Sequence, residues 1–318
     1  MMAETASAAP DARLARPARL RFVFGGRLLH AAEFRLCEAH QDCAAPPDWN
    51  TIPAGVRAVR VQVQPAGRLP RIRFLADTIR YVPSQYRRFY VEIDGSIESY
   101  LRKFTHKSRN TLLRKVRKLA AASGGAADFR EYARPAEIAE FLGLAREVSA
   151  KTYQERLWDA GIPRATWFRE QTLQAAARGE ARGYLLFCGG RPAAYALCAV
   201  RENILVAERL GFDPALAPLN PGTVLLYLLL ESLFAEKHFR VLDFGPGEFA
   251  YKEHFATGHF PCAEIYYFRR NLNNCLLVGT HAAMETVSGA MKRALDAVGL
   301  KNRIRKWIHR RAEEARVG

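Results

Sequence analysis

Two carboxylates interrupt apolar stretches of this sequence, and they are its best candidates for a base. Glu208 lies inside "ILVAERL" and Asp243 closes "FRVLD". An acid embedded in an apolar strand has its pKa raised by desolvation unless a cation pairs with it, which suits a group that must take a proton near neutrality. Arg209 or Arg240 could instead neutralise either acid in a structural bridge. Between the two acids runs "LNPGTVLLYLLLESLF", which has the marks of a helix start: Asn220 can cap, Pro221 suits the first turn and Gly222 permits close approach. The amides of Gly222, Thr223 and Val224 would then face whatever lies ahead of the helix, and such a helix start can hold a phosphate. Pro221 removes one donor, and a cap that binds nothing is the plainer alternative. Tyr251 and Lys252 follow the turn "GPGEFA", from which they could reach a substrate or a phosphate, or simply cover the core.

A second source of chemistry is charge. The chain of 318 residues has a formal net charge of +16. The excess sits in Arg102 to Lys118 and in Lys301 to Arg311, each without an acid, and the rest is close to neutral. Localised positive charge is a footprint for phosphate, nucleic acid or an anionic membrane. The first segment, "THKSRNTLLRKVRKL", becomes amphipathic when laid out at 100° per residue. Leu112, Val116 and Leu119 share one face, while Lys103, Lys107, Arg114 and Lys118 take the opposite one. Arg109 falls among the apolar residues. A guanidinium there must find a carboxylate or a phosphate, because an unpaired buried charge is costly. Arg109 is therefore read as a ligand contact or a core salt bridge, with Lys107 and Arg114 as substrate-steering charges or a solvated face.

The surrounding elements must position these groups. Residues 1–19 read as a flexible leader and 20–95 as a small α/β lobe of short β-favouring runs. Ser96 starts a helix that continues into the basic one. Residues 128–132 read as a strand, 135–157 and 167–177 as helices. "RGYLLFCGGRPAAYALCAV" gives two strands joined at Gly189 and Gly190, and a third strand, the buried helix and two more strands follow. Residues 96–275 form the main domain, and 276–318 a basic helical tail. In that tail Val287, Met291, Leu295 and Val298 share a side, and Ile304, Trp307 and Ile308 stand among cations, so it could lie on an anionic membrane or pack on the body.

Several classes are excluded. No apolar run, Val224 to Leu230 included, is long enough to span a bilayer, which takes about 20 residues. The amino-terminal segment has no apolar centre, so no secretory signal is expected; the protein is placed in the cytoplasm, with a peripheral position at the inner membrane face open. The six cysteines are scattered, as packing thiols are. Cys37, His40 and Cys43 could be offered to a metal but have no fourth ligand nearby, and the spacing of His254, His259 and Cys262 fits no common zinc pattern, so no metal is expected. Tyr153 and Trp158 could stack on a sugar or pack beneath a loop. "DFG" lacks the lysine strand and catalytic-loop motif of protein kinases.

The order of elements is similar to the GNAT acyltransferase fold, and the wording resembles its FemAB-like branch, which includes acyltransferases associated with cellulose and exopolysaccharide synthesis. "SRNTLLRKVRK", "GFDPALAPLNPGTVLLYLLLE" and "LDFGPGEFAYKEHF" carry the resemblance, across roughly Tyr90 to Arg270. It implies a mixed α/β sheet flanked by helices, with the smaller amino-terminal lobe as a reduced copy of a duplicated fold. It implies acetyl-coenzyme A or another acyl-coenzyme A as donor, with its pyrophosphate at Asn220, Gly222, Thr223 and Val224. The family's usual Arg or Gln, Gly, Gly spacing is missing from "ALAPLNPGT". Glu208 or Asp243 would be the base, and the acceptor an amine or hydroxyl on a phosphate-bearing or lipid-linked sugar. Two readings compete: an aminoacyl-tRNA donor gripped by the basic helix, and a non-catalytic nucleic-acid or membrane-surface adaptor.

Overall fold

The structure, a computed structural model, describes residues 15–24, 27–39, 46–65, 67–152 and 161–297. The chain divides into two compact units, one made of residues 1–85 with 261–318 and the other of residues 86–260. The sequence boundaries at 95/96 and 275/276 are displaced from these, because single strands, Thr78–Glu92 and Gly258–Arg269, contribute to both units.

In the first unit, β1 (Arg16–Phe24) pairs antiparallel with β2 (Arg27–Ala39), β2 runs parallel to β3 (Val56–Val63), and β3 is antiparallel to β11 (Gly258–Arg269). The short β4 (Ile72–Phe74) pairs with the first half of β5 (Thr78–Glu92). The last residues of the span expected as a leader, 16–19, belong to β1. The tail expected from residue 276 likewise begins inside a long helix, Leu272–Ala297. Val278 and Ala282 of that helix pack with Leu20, Tyr81 and Phe268. Residues 298–318, with Ile304, Trp307 and Ile308, lie outside the described residues.

The second unit has the strand order β5, β10 (Val241–Asp243), β9 (Ile204–Phe212), β8 (Arg191–Arg201), β7 (Ala181–Cys188), β6 (Asp128–Tyr132). β10 is parallel to β9 and antiparallel to β5, and the others alternate. The expected mixed α/β sheet with flanking helices is present. Helices α1 (Ile97–Leu101), α2 (His106–Ala122), α3 (Pro135–Ser149), α4 (Thr166–Ala177), α5 (Pro221–Glu236) and α6 (Ala250–Phe255) accompany it. Tyr184, Leu186, Ala194, Ala196 and Cys198 join the core made with α1, α2 and α5. Leu185, Phe187, Tyr195 and Leu197 join the one made with α3 and α4. A strand side chain changes face at each residue, so β7 and β8 must be apolar throughout to be covered on both sides. Gly189 and Gly190 close the β7–β8 hairpin at φ 58° and 74°, as the sequence requires of them.

The basic segment is not continuous with the helix before it. Ser96 caps α1, but the chain then restarts, with the Thr105 side chain accepting from the Ser108 amide at 3.2 Å. That cap opens α2, whose Leu112 and Leu119 are buried under α5.

Candidate active site

β9 and β10 run side by side only from Ile204 with Val241 to Val206 with Asp243. Beyond Asp243, β10 turns away at Gly245, whose φ is 67° and where a Cβ would stand 2.8 Å from the Ala207 carbonyl. β9 continues to Phe212, but it does so through a bulge. Cys198 faces Ala207 and Leu197 faces Arg209, leaving Glu208 as the extra residue. Ala207 and Leu210 consequently lie against the same core cluster, although three residues apart in a regular strand would put them on opposite faces. The bulge turns Leu210 toward α5 and leaves Glu208 exposed.

A cavity of about 510 Å³ lies between the end of β9 and the start of α5, walled by Leu210, Gly211 and Phe212 and by Gly222, Thr223, Leu225 and Leu226, with Thr152, Tyr195, Asn220 and Tyr251 also at its surface. Its walls are largely apolar, and Asn220 and Thr223 are its polar groups at the helix start. That end is built differently from the expectation. Asn220 adopts the left-handed conformation at φ 54° and its side chain caps nothing in the helix, donating instead to the Pro218 carbonyl at 3.3 Å. The Asn220 carbonyl accepts from the amides of both Thr223 (3.0 Å) and Val224 (3.1 Å). Val224 is also wholly buried. Of the amides assigned to a phosphate, Gly222 is thus the one without a backbone partner, Val224 is withdrawn, and Thr223 is shared. A Cβ on Gly222 would lie 3.2 Å from the Phe212 ring, which is how closely helix start and strand end approach.

The two candidate bases have separate fates. Asp243 is buried and held by Arg88, whose Nε lies 2.9 and 2.8 Å from its carboxylate oxygens, and it also accepts from the Gly245 amide at 2.7 Å. The neutralising cation is neither Arg209 nor Arg240. Arg209 lies over the Phe168 ring, 5.1 Å from its centre, and donates to the Gly161 carbonyl. Glu208, expected inside an apolar strand, is exposed because the bulge ejects it.

α6 brings Tyr251 to the cavity. Its helix is pinned by Tyr100, which donates to the Phe255 carbonyl at 2.6 Å, and by Lys103, which donates to the carbonyls of His254 (3.1 Å) and Ala256. Burial lowers the Lys103 pKa to about 8. Tyr251 stacks on Phe249 with ring centres 6.0 Å apart. It keeps 37% of its surface exposed, yet its hydroxyl is enclosed enough for burial to push its pKa up to about 12. Lys252 does not reach a ligand. It is buried, and its ammonium donates to the carbonyls of Gly245 (3.2 Å) and Pro246 (2.6 Å). Burial, helped by Arg88 and opposed by Asp243, lowers its pKa to about 8.

On α2, Lys107 and Arg114 are exposed, and Arg109 is half-buried with no side-chain partner among the described residues. Lys118 donates to the Pro218 carbonyl at 3.1 Å, the same oxygen that receives Asn220, so the end of the basic helix stands beside the start of α5. Sequence reasoning assigned Lys118 only to the outer face. It also missed Lys151, 2.7 Å from Asp213. Burial would raise the pKa of Asp213, but Lys151 and the Ala215 amide outweigh it and lower it. Asp213 before Pro214 was a readable cap signal; Lys151, 62 residues away, was not.

Among the described residues no group of three or more His, Cys, Asp or Glu is placed to hold a metal, and no helix is long and apolar enough to cross a membrane. His40, Cys43, Tyr153 and Trp158 lie outside the described residues.

Residues 106–253 match the family model described as an acetyltransferase (GNAT) domain. No curated protein matched the chain. Among solved structures, the carboxyl-terminal domain of a putative lysylphosphatidylglycerol synthetase from Agrobacterium fabrum is similar over 79% of this chain and 84% of its own, at 13% identity and a TM-score of 0.47. L-PGS from Bacillus licheniformis is similar over 82% and 88%, at 15% identity and 0.46. FemX is similar over 83% and 90%, at 11% identity and 0.47. The family match alone carries the conclusion: this chain contains a GNAT-type acetyltransferase domain, and its enzyme class is acyl transfer.

Proposed function

We propose that the protein moves an acyl group, acetyl in the simplest case, from acyl-coenzyme A to an amine or hydroxyl of a phosphate-bearing or lipid-linked sugar in envelope or exopolysaccharide synthesis. The observation that carries the donor is the cavity between the end of β9 and the start of α5. Its volume is that of a small-molecule site, and its apolar walls suit an acyl chain and the arm behind it. The Gly222 amide and the ammonium of Lys118 stand at the end where a phosphate would arrive. Attack on a thioester by an amine requires removal of a proton from the amine and delivery of one to the leaving sulfur. Glu208 is the carboxylate left open to do the first, and the Tyr251 phenol, protonated at neutral pH, is the donor for the second. Asp243 is assigned to holding the turn at Gly245. Arg109, half-buried and unpaired, is kept for a phosphate of the acceptor, where a guanidinium can make bidentate contact.

One observation favours a second donor. Lys107, Arg114, Arg117 and Lys118 are exposed along α2, as a helix gripping an aminoacyl-tRNA would need. Titrating the protein with acetyl-coenzyme A and with charged tRNA separates the readings. The acyl-coenzyme A reading expects saturable binding that Gly222→Val weakens by about tenfold or more, since the new side chain meets Phe212 and fills the approach. Binding of tRNA alone, falling steeply with salt, would replace it.

A further inference from the structure

The long helix that ends the described chain, Leu272–Ala297, has two apolar faces, and only one of them is used. The packed face is fixed by several contacts inside its own unit. Val278 and Ala282 are buried in the core, the His281 ring meets the Tyr81 hydroxyl at 2.5 Å and the Arg21 carbonyl at 3.2 Å, and Asn274 accepts from Arg57 at 2.6 Å.

The other face points to solvent. At 100° per residue, Leu272, Leu276, Ala283, Val287, Ala290 and Ala294 fall within a sector of about 60°, and none of the helix's Asp, Glu, Lys or Arg positions falls there. Each of the six is exposed, Leu272 at 82%, Leu276 at 67% and Val287 at 55%. An uncharged outer stripe along a helix of 26 residues, about 39 Å long, is not what a solvated helix presents. The sequence then continues through Lys301, Arg303, Arg305, Lys306, Arg310 and Arg311 without an acid among them.

We infer that this stripe is a docking face for an anionic lipid surface, an occupant to which the acid-free basic run that follows it in the sequence points. The apolar side chains would enter the headgroup boundary along the helix axis. Charge selects this occupant. A second copy of the chain would cover the stripe but would bring another basic run and no counter-charge. A lipid leaflet of anionic headgroups answers both features. The inference extends the membrane contact expected of the tail to a face of the folded body, and it stands independently of which donor the acyltransferase uses.

The test is partition of the full chain onto vesicles of phosphatidylcholine with about a third phosphatidylglycerol, and onto pure phosphatidylcholine, at about 0.1 M salt. Binding is expected on the anionic vesicles only. Leu272→Glu, Leu276→Glu and Val287→Glu together should reduce it by about tenfold, with an unchanged melting temperature. Should the triple variant melt early, Leu272→Glu alone, at the most exposed position, serves the same purpose. Undiminished binding by these variants would assign the contact to the basic run and overturn the role of the stripe. Equal binding to both vesicles would overturn it as well, as would a wild-type dimer that the variants convert to a monomer.

Discussion

Glu208, in the middle of β9, and Asp243, at the end of the parallel β10, both interrupt apolar runs, yet their surroundings differ. Asp243 ends its strand where the backbone must turn. Its carboxylate is consumed by that turn, accepting from the Gly245 amide and from a guanidinium that is itself buried. Glu208 sits where β9 takes on an extra residue, and the bulge places it in solvent at the edge of the divergence. The Asp243 carboxylate is committed to its buried partner and to the turn, whereas the exposed Glu208 carboxylate is held by no such pair. Both are carboxylates within apolar runs; backbone irregularity and one partner made the difference.

The contrast can be tested from either side, and the larger effect belongs to the buried pair. Arg88→Met removes the cation and leaves the Asp243 carboxylate desolvated, which should cost about 3–5 kcal/mol of unfolding free energy in a denaturant titration. Adding Asp243→Asn should restore much of that loss, because the amide oxygen can still accept from Gly245 and no charge remains. A small loss for Arg88→Met would mean that Asp243 does not depend on this guanidinium, and the distinction between the two acids would fail.

Glu208→Gln comes next. With Glu208 as base, turnover should fall by about 10²-fold, equivalent to about 2.7 kcal/mol in the barrier, while the unfolding midpoint and donor affinity stay near wild type. If Asp243→Asn instead abolished turnover at unchanged stability and Glu208→Gln did not, the roles given to the two acids would be reversed.

Much of this architecture was legible. The paired apolar strands, the Gly189–Gly190 hairpin, the helix opening at Pro221 and the amphipathic face of α2 follow from periodicity and turn chemistry, which act over a few residues. The Asp243 partner was not legible, since Arg88 is 155 residues away and nothing local distinguishes it from Arg240. Nor was the bulge at Glu208, because "ILVAERL" reads as a regular strand until its pairing with β8 is known. The start of α5 was found from Asn220 and Pro221, but the left-handed turn at Asn220, which spends its carbonyl on the Thr223 and Val224 amides, depends on the segment Pro214–Leu219 before it. Local signals marked candidate groups. Long-range partners decided which remained available.

The smallest expected effect concerns Lys252, which supports the same turn as Asp243 from the other side. Its ammonium holds the carbonyls of Gly245 and Pro246, so Lys252→Met should destabilise the protein by about 1–3 kcal/mol through unpaired acceptors. The pH dependence of that difference is more informative than its size. Burial has lowered the Lys252 pKa to about 8 from its ordinary value of 10.5. Below about pH 8 both folded and unfolded chains carry the proton, and the folded protein bears the full penalty of a buried ammonium. Between about 8 and 10.5 the unfolded chain still binds a proton that the folded one has released, so the contribution of Lys252 to stability rises with pH across that window. The neutral amine still has hydrogens for both carbonyls. Wild type should therefore gain on Lys252→Met as the pH is raised from about 8 to about 10, with both measured by thermal melting in the same buffers. A gap that narrows instead would show that Asp243 holds Lys252 charged, and would make the Asp243 carboxylate a partner of two cations rather than of Arg88 alone.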